Sequence, residues 1–155
     1  MKKLLKHIVY AASLLMFATQ ASAWVSKQFV PSNVSKITVE ISDQANDGCW
    51  TNIGEVKRYA EDKLELAGHK VLREKFVGYD DRHYELYITV IANRHETKCY
   101  GSYDFNISKQ ITDNKVGGIF SAGGFNGNFT GYENINQHIL TKIGDLMKEV
   151  EDPQW

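Results

Sequence analysis

The sequence has few of the signatures that would announce a chemistry. It contains no G-x-S-x-G elbow, no H-E-x-x-H pair and no P-loop, which removes the common sequence grounds for a serine hydrolase, a zinc peptidase or a nucleotide enzyme. No cofactor is expected on these grounds. Charge of one sign is also lacking: 18 lysines and arginines stand against 19 acids in 155 residues, for a formal net charge of -1. Without a basic cluster there is no electrostatic footprint for DNA or RNA, so no nucleic-acid partner is expected. Cysteine is scarce, at two residues. No internal repeat, low-complexity tract or linker divides the chain, and a chain of this length buries about two thirds of its unfolded surface around one core.

What is present begins with an export signal. Lys2, Lys3 and Lys6 form a positive opening, residues 8–17 are mostly apolar apart from Tyr10 and Ser13, and Ala21-Ser22-Ala23 has the small-x-small pattern of a cleavage site. An amphipathic first helix or a membrane anchor is the competing reading, but the apolar run falls short of the ~20 residues that span a bilayer. The expected organisation is a signal peptide over residues 1–23 and a single α+β domain over residues 24–155, located in a bacterial periplasm or outside the cell. Processing removes three lysines and no acid, so the 132 residues from Trp24 onward carry 15 basic and 19 acidic groups, a net charge of -4. No later apolar run predicts a membrane span in the mature chain, and no cysteine follows the cleavage site to carry a lipid anchor. In an oxidising compartment Cys49 and Cys99 are expected to form a disulfide that stabilises by about 4 kcal/mol. Two free thiols, or half of an incomplete metal site, are the alternatives.

Hydrophobic spacing sets the expected elements. Residues 24–35 form an extended lead-in around Pro31. Ile37, Val39 and Ile41 alternate with polar residues as a half-buried strand does. Asn52 stands three residues before Glu55, and Ile53, Val56, Ala60, Leu64 and Ala67 follow at helical spacing to the terminator Gly68. A strand is expected over residues 71–76 and a stronger one over 84–93, where Tyr84, Leu86, Ile88, Val90 and Ala92 share a face that Tyr87 and Ile91 oppose. After a polar hairpin, Tyr103, Phe105 and Ile107 mark a strand with one wet face. Residues 117–131 hold six of the twelve glycines among Ile119, Phe120, Phe125 and Phe129; glycine at this density makes either a bent strand or a mobile loop. Thr130 and Glu133 repeat the capping spacing, ahead of a closing helix striped by Ile135, Ile139, Ile143, Leu146, Met147 and Val150. The pattern predicts an α+β two-layer sandwich: an antiparallel sheet of about four to five strands, in strand-helix-strands-helix order, with both helices on one face.

Candidate chemistry is thin. His83 lies beside Asp80 and Asp81, and His95 beside Glu96, but a strand of about ten residues separates the two histidines by some 30 Å at ~3.3 Å per residue. Residues 43–48 are acidic and end in glycine, yet Ala45 stands where a calcium loop needs an oxygen. No metal ligand is assigned. Outward acids Glu40, Glu85 and Asp104 could serve a cell-wall hydrolase, although outward acids in an acidic protein are usually only solvated. No catalytic residue is assigned either. The aromatics say more. Tyr87, Tyr100, Phe120, Phe125 and Phe129 cannot all be placed on the helix-facing side by alternation, so they either cover the second sheet face or expose an apolar patch to a protein partner.

Gly48-Cys49-Trp50, a capped helix ending in Leu64-x-x-Ala67-Gly68-His69-Lys70-Val71, and Leu86-Tyr87-Ile88-Thr89-Val90 together resemble small exported bacterial α+β proteins of unknown function, over residues 37–150. The resemblance implies an α+β fold without assigned chemistry and transfers no functional residue. Residues 117–131 are where this chain departs from it. The expected function is therefore that of a non-enzymatic periplasmic protein acting through an unidentified protein partner in the envelope, either as an immunity-type inhibitor of a cell-wall-targeting toxin or as an envelope accessory protein. A cell-wall hydrolase using surface carboxylates and a small-ligand-binding protein are the alternatives.

Overall fold

The computed structural model describes residues 22–153 apart from 75, 77, 79, 114 and 115. All but the last two residues of the expected export signal lie outside them. The elements in chain order are β1 (Trp24–Val25), β2 (Lys36–Ala45), α1 (Ile53–Leu66), β3 (Val71–Leu72), β4 (His83–His95), β5 (Lys98–Asp113), β6 (Val116–Tyr132) and α2 (Asn136–Glu151). The six strands form one curled half-barrel sheet in the order β1-β6-β5-β4-β2-β3.

This corrects the expected antiparallel sheet of four to five strands. β2 runs parallel to both β4 and β3, while the other pairings are antiparallel, so the sheet is mixed. The cause is the crossover through α1, which carries the chain back over the sheet before β4 begins, so that β4 lies beside β2 in the same direction. The strand that was not expected, β1, comes from a segment too short to show a period. β1 takes two residues of the lead-in, and β3 keeps only Val71 and Leu72 of the longer strand expected there.

Side chains at alternate positions fill one core. Ile37 and Val39 of β2, Tyr84, Leu86, Ile88, Val90 and Ala92 of β4, and Tyr103, Phe105 and Ile107 of β5 are buried. Facing them, Val56, Ala60 and Leu64 of α1 and Ile139, Ile143, Leu146, Met147 and Val150 of α2 form the apolar helix faces. Fully burying each such side chain is worth roughly 2 kcal/mol, which outweighs the weak intrinsic stability of helices this short. α1 closes after Leu66, where the N–H groups of Gly68 and His69 donate to the carbonyls of Glu65 and Leu64. Its start differs from the expected capping box: Asn52 makes no cap to the backbone and donates instead from Nδ2 to Glu55 Oε2 at 3.0 Å. The second expected cap fails because Thr130 belongs to β6. α2 begins at Asn136, whose side chain bonds the Thr51 N–H and hydroxyl at 3.0 and 2.9 Å and so ties the starts of the two helices together.

The glycine-rich segment is a strand. β6 pairs with β5 along its length, with irregularities at Cys99/Tyr100 and Ile107/Ser108 that leave Gly131 and Ala122 without partners in the register. Two glycines make room for neighbours. A side chain at Gly127 would collide with the Tyr103 ring, and one at Gly101 would land on the Ile91 carbonyl and the Ala92 backbone. Gly101→Ala is therefore expected to force β4 and β5 apart and to destabilise by roughly 3 kcal/mol. Gly54→Ala, where nothing lies within 4 Å, should raise stability slightly because alanine is the better helix former. Urea unfolding of the two variants checks the contrast.

Candidate functional site

The face of the sheet turned away from the helices is where the outward residues of four strands meet. Register fixes its rows from β2 through β4 and β5 to β6: Thr38, Glu85, Ser108, Ser121; Glu40, Tyr87, Asn106, Gly124; Ser42, Thr89, Asp104, Asn126; Gln44, Ile91, Ser102, Asn128. A last short row holds Asn93, Tyr100 and Thr130. Hydroxyls and carboxamides dominate, and large apolar side chains stand among them. Tyr87 is 39% exposed, Ile91 42% and Tyr100 46%. The first row is the exception to this exposure, with Thr38 and Ser108 buried.

Tyr87 is held in place. Its hydroxyl donates to Glu85 Oε2 at 2.6 Å, and this bond, with partial burial and the charges of Glu85 and Glu40, pushes the phenol pKa up to about 12. The ring is a fixed, protonated surface group at any ordinary pH. Beside it lies a hollow of about 300 Å³ lined by Phe76, Asp80, His83, Glu85, Tyr87 and Gln110. His83, Asp80 and Glu85 among its polar groups already have partners. His83 Nε2 lies 3.1 Å from Thr38 Oγ1, and burial lowers its pKa. Asp80 accepts from the Ser35 hydroxyl at 2.7 Å and the Arg82 N–H at 3.0 Å; the Ser35 bond first, then the Arg82 bond, keeps its carboxyl below the usual range. Lys36 lies 3.8 Å from Asp80 and 4.7 Å from the centre of the Phe76 ring.

The other candidate residues separate into two groups. Tyr87 and Tyr100 lie on the outer face, whereas Phe125 and Phe129 are 5% and 6% exposed and belong to the core. Phe125 meets Tyr103 edge-on at 5.6 Å, and Phe129 lies 5.9 Å from the His138 ring. Phe120 is partly buried against the core, with the Lys109 ammonium 5.9 Å from its ring centre. Of the acids, Glu40 and Glu85 sit in adjacent rows, while Asp104 lies opposite Thr89, four residues along β4 from Glu85 and about 13 Å away at ~3.3 Å per residue. That spacing is wider than the carboxylate pairs used for glycoside hydrolysis. His83 and His95 stand at opposite ends of β4, and among the described residues no three ligating side chains come together. The turn proposed against calcium is closed on itself, with Asp43 Oδ1 accepting the Ala45 N–H at 2.9 Å and the Asp47 carbonyl accepting Arg94 Nε at 2.9 Å.

Cys49 and Cys99 form the expected disulfide, with Cα atoms 5.8 Å apart, and both are fully buried. The bridge clamps the start of β5 to the segment before α1, at the end of the outer face where Tyr100 stands.

No protein-family model matches the chain, and comparison with curated proteins finds no match. Solved structures do match. A point variant of the PelC dodecamer from Paraburkholderia phytofirmans superposes with a TM-score of 0.55 at 13% identity, over 85% of this chain and 98% of that one. A second crystal form of the PelC dodecamer from the same organism gives 0.54 at 14% identity, over 87% and 99%. The chain shares the PelC fold. The likeness covers nearly the whole of PelC rather than a fragment of it. A minor lipoprotein from Acinetobacter baumannii superposes at only 0.29, too low to bear on the fold.

Proposed function

We propose that this is an exported protein that works in the bacterial envelope by protein–protein association rather than catalysis, as an accessory component of an assembly, and that its outer sheet face is the contact surface. The observation that carries the reading is that Tyr87, Ile91 and Tyr100 stand exposed on β4 and β5 among hydroxyls and carboxamides, with the acids Glu40, Glu85 and Asp104 on the same face. Exposed aromatics of restricted mobility are what dominate protein interfaces, because they bring large contact area with little rotamer entropy to lose. The buried disulfide supports location in an oxidising compartment. Between the two versions of the reading, an assembly component is favoured over a toxin inhibitor by the fold shared with a protein that forms a dodecamer.

A photoreactive amino acid placed at Tyr87 or Tyr100 tests the proposal in cells. A discrete covalent adduct with an envelope protein is expected from either position. No adduct from either would remove the reading, and clearing of peptidoglycan by the purified protein, lost in Asp104→Asn, would replace it with the hydrolase.

A further inference from the structure

The two edges of the sheet are built differently. On β2, the N–H of Ile37 points outward to the Lys70 carbonyl beside β3. Further along that edge, Asp43 turns back to take the Ala45 N–H at 2.9 Å. Lys36, Glu40 and Asp43 add charge to the strand. Charges and self-capping of this kind are how natural sheets prevent edge-to-edge pairing. β6 has none of these devices. Its 17 residues include no charged side chain and no proline, and β1 covers only Gly123 and Gly124, with one further bond from the Ser26 N–H to the Ala122 carbonyl. Strand alternation then directs the N–H and C=O of Asn126, Asn128 and Thr130 outward along the same edge. All three residues are exposed. Among the described residues no strand pairs with β6 on that side beyond Gly124.

Alongside this edge runs a groove of about 790 Å³ between β6 and α2, lined by Ala23, Asn126, Asn128, His138, Lys142 and Asp145 among others. Its two lysines and two acids balance in number: Lys142 and Lys148 both pair with Asp145 at 3.2 Å, and Glu149 supplies the second acid. Ser22 and Ala23 are part of the groove wall, and Ala23 is buried. Cleavage after Ala23 would remove both.

We infer that the processed protein uses this edge to bind a second copy of itself, β6 to β6, antiparallel about a two-fold axis near Asn128. The strand is self-complementary in the sense such an interface requires: it is uncharged on both copies, and Asn126 would face Thr130 of the partner while Asn128 faces its own equivalent. The free window beyond Gly124 is centred near Asn128, which fixes the register. Because β1 pairs antiparallel with β6 through Trp24 and Gly124, Ala23 and Ser22 of the precursor run on towards Phe125 and Asn126, so export processing clears the edge. The inference rests on the export reading for this last step. It is independent of the Tyr87 and Tyr100 surface, which lies on the sheet's face rather than its edge.

The test uses the exported protein, with intact mass first establishing that it begins at Trp24. Sedimentation equilibrium is expected to give twice the monomer mass. Asn128→Pro removes an outward N–H without touching the β5 ladder, and Asn128→Lys places two like charges face to face. Both variants should halve the mass while retaining the wild-type thermal midpoint within a few degrees. Asn128→Cys should give a covalent dimer on oxidation, because paired residues across an antiparallel ladder lie within disulfide reach. A monomeric wild-type protein with freely exchanging amides at residues 126–130 would overturn the inference. So would a dimer that survives both Asn128→Pro and Asn128→Lys, or one that gives no cross-link through Asn128→Cys.

Discussion

Replacing Cys49 and Cys99 together by serine is expected to remove about 4 kcal/mol of stability, because the bridge spans 50 residues and constrains the unfolded chain by that much in the chain-entropy model. For a domain of this size the loss corresponds to a fall of roughly 15 °C in Tm. The effect is comparable to a severe core truncation, which costs about 2–5 kcal/mol, and it comes from joining two segments: the loop before α1 and the first residues of β5. Both sulfurs are fully buried, so the replacement also puts two hydroxyls in an apolar site. Thermal unfolding of the oxidised protein and of the double variant checks this directly, and a difference below about 1 kcal/mol would show that the clamp contributes little.

Acid should weaken the fold through His69. The ring is 4% exposed, stacks on Phe29 at 4.5 Å and has no hydrogen-bond partner for either nitrogen. Burial alone lowers its pKa from 6.5 to about 4. The unfolded chain therefore takes up a proton as pH falls through 6.5, and the native protein does not until about 4. Stability is fully present above 6.5 and declines towards pH 4, by about 3 kcal/mol in all at 1.36 kcal/mol per pKa unit. His83 and His138 are also lowered by burial and act in the same direction. Glu61 is buried with its pKa raised, so it acts oppositely, losing stability as pH rises above the ordinary carboxylate value. Comparison of wild type with His69→Phe isolates the term, because phenylalanine keeps the stack on Phe29 and cannot protonate. The urea midpoint of the wild type should fall markedly more between pH 7 and pH 4.5 than that of the variant. Equal falls would place the acid sensitivity elsewhere.

Strand and helix faces were legible where period and burial coincide. The alternation of Tyr84, Leu86, Ile88, Val90 and Ala92 and the stripe from Ile139 to Val150 both end in the core. Strand direction was not legible, because a pattern of wet and dry positions reads the same from either end. Only the crossover through α1 makes β2 and β4 parallel. β1 was illegible for a different reason, since two residues cannot establish a period, and β3 was read as a strand but over 71–76 rather than the two residues Val71 and Leu72. In β6 the glycines hide the alternation, and Ala122 and Gly131 shift its phase where the register with β5 slips. Yet Phe125 and Phe129 are an even number of residues apart, which on one continuous strand places both on the same side. Their burial followed from that spacing once the segment was a strand. The same parity argument sets Tyr87 and Ile91 together on the outer face, and register rather than sequence brings Tyr100 to join them. His69 gave no sequence signal at all, because its burial comes from Phe29 in the distant lead-in.

The most direct measurement is the relative yield of photocross-linking from Tyr87 on the outer sheet face and from Leu66 at the end of α1. Leu66 is 78% exposed against 39% for Tyr87, so non-specific collision favours Leu66. A contact surface on the sheet predicts a single adduct of defined mass from Tyr87 and little from Leu66. Adducts that follow exposure, strongest from Leu66 and without a defined partner, would contradict it.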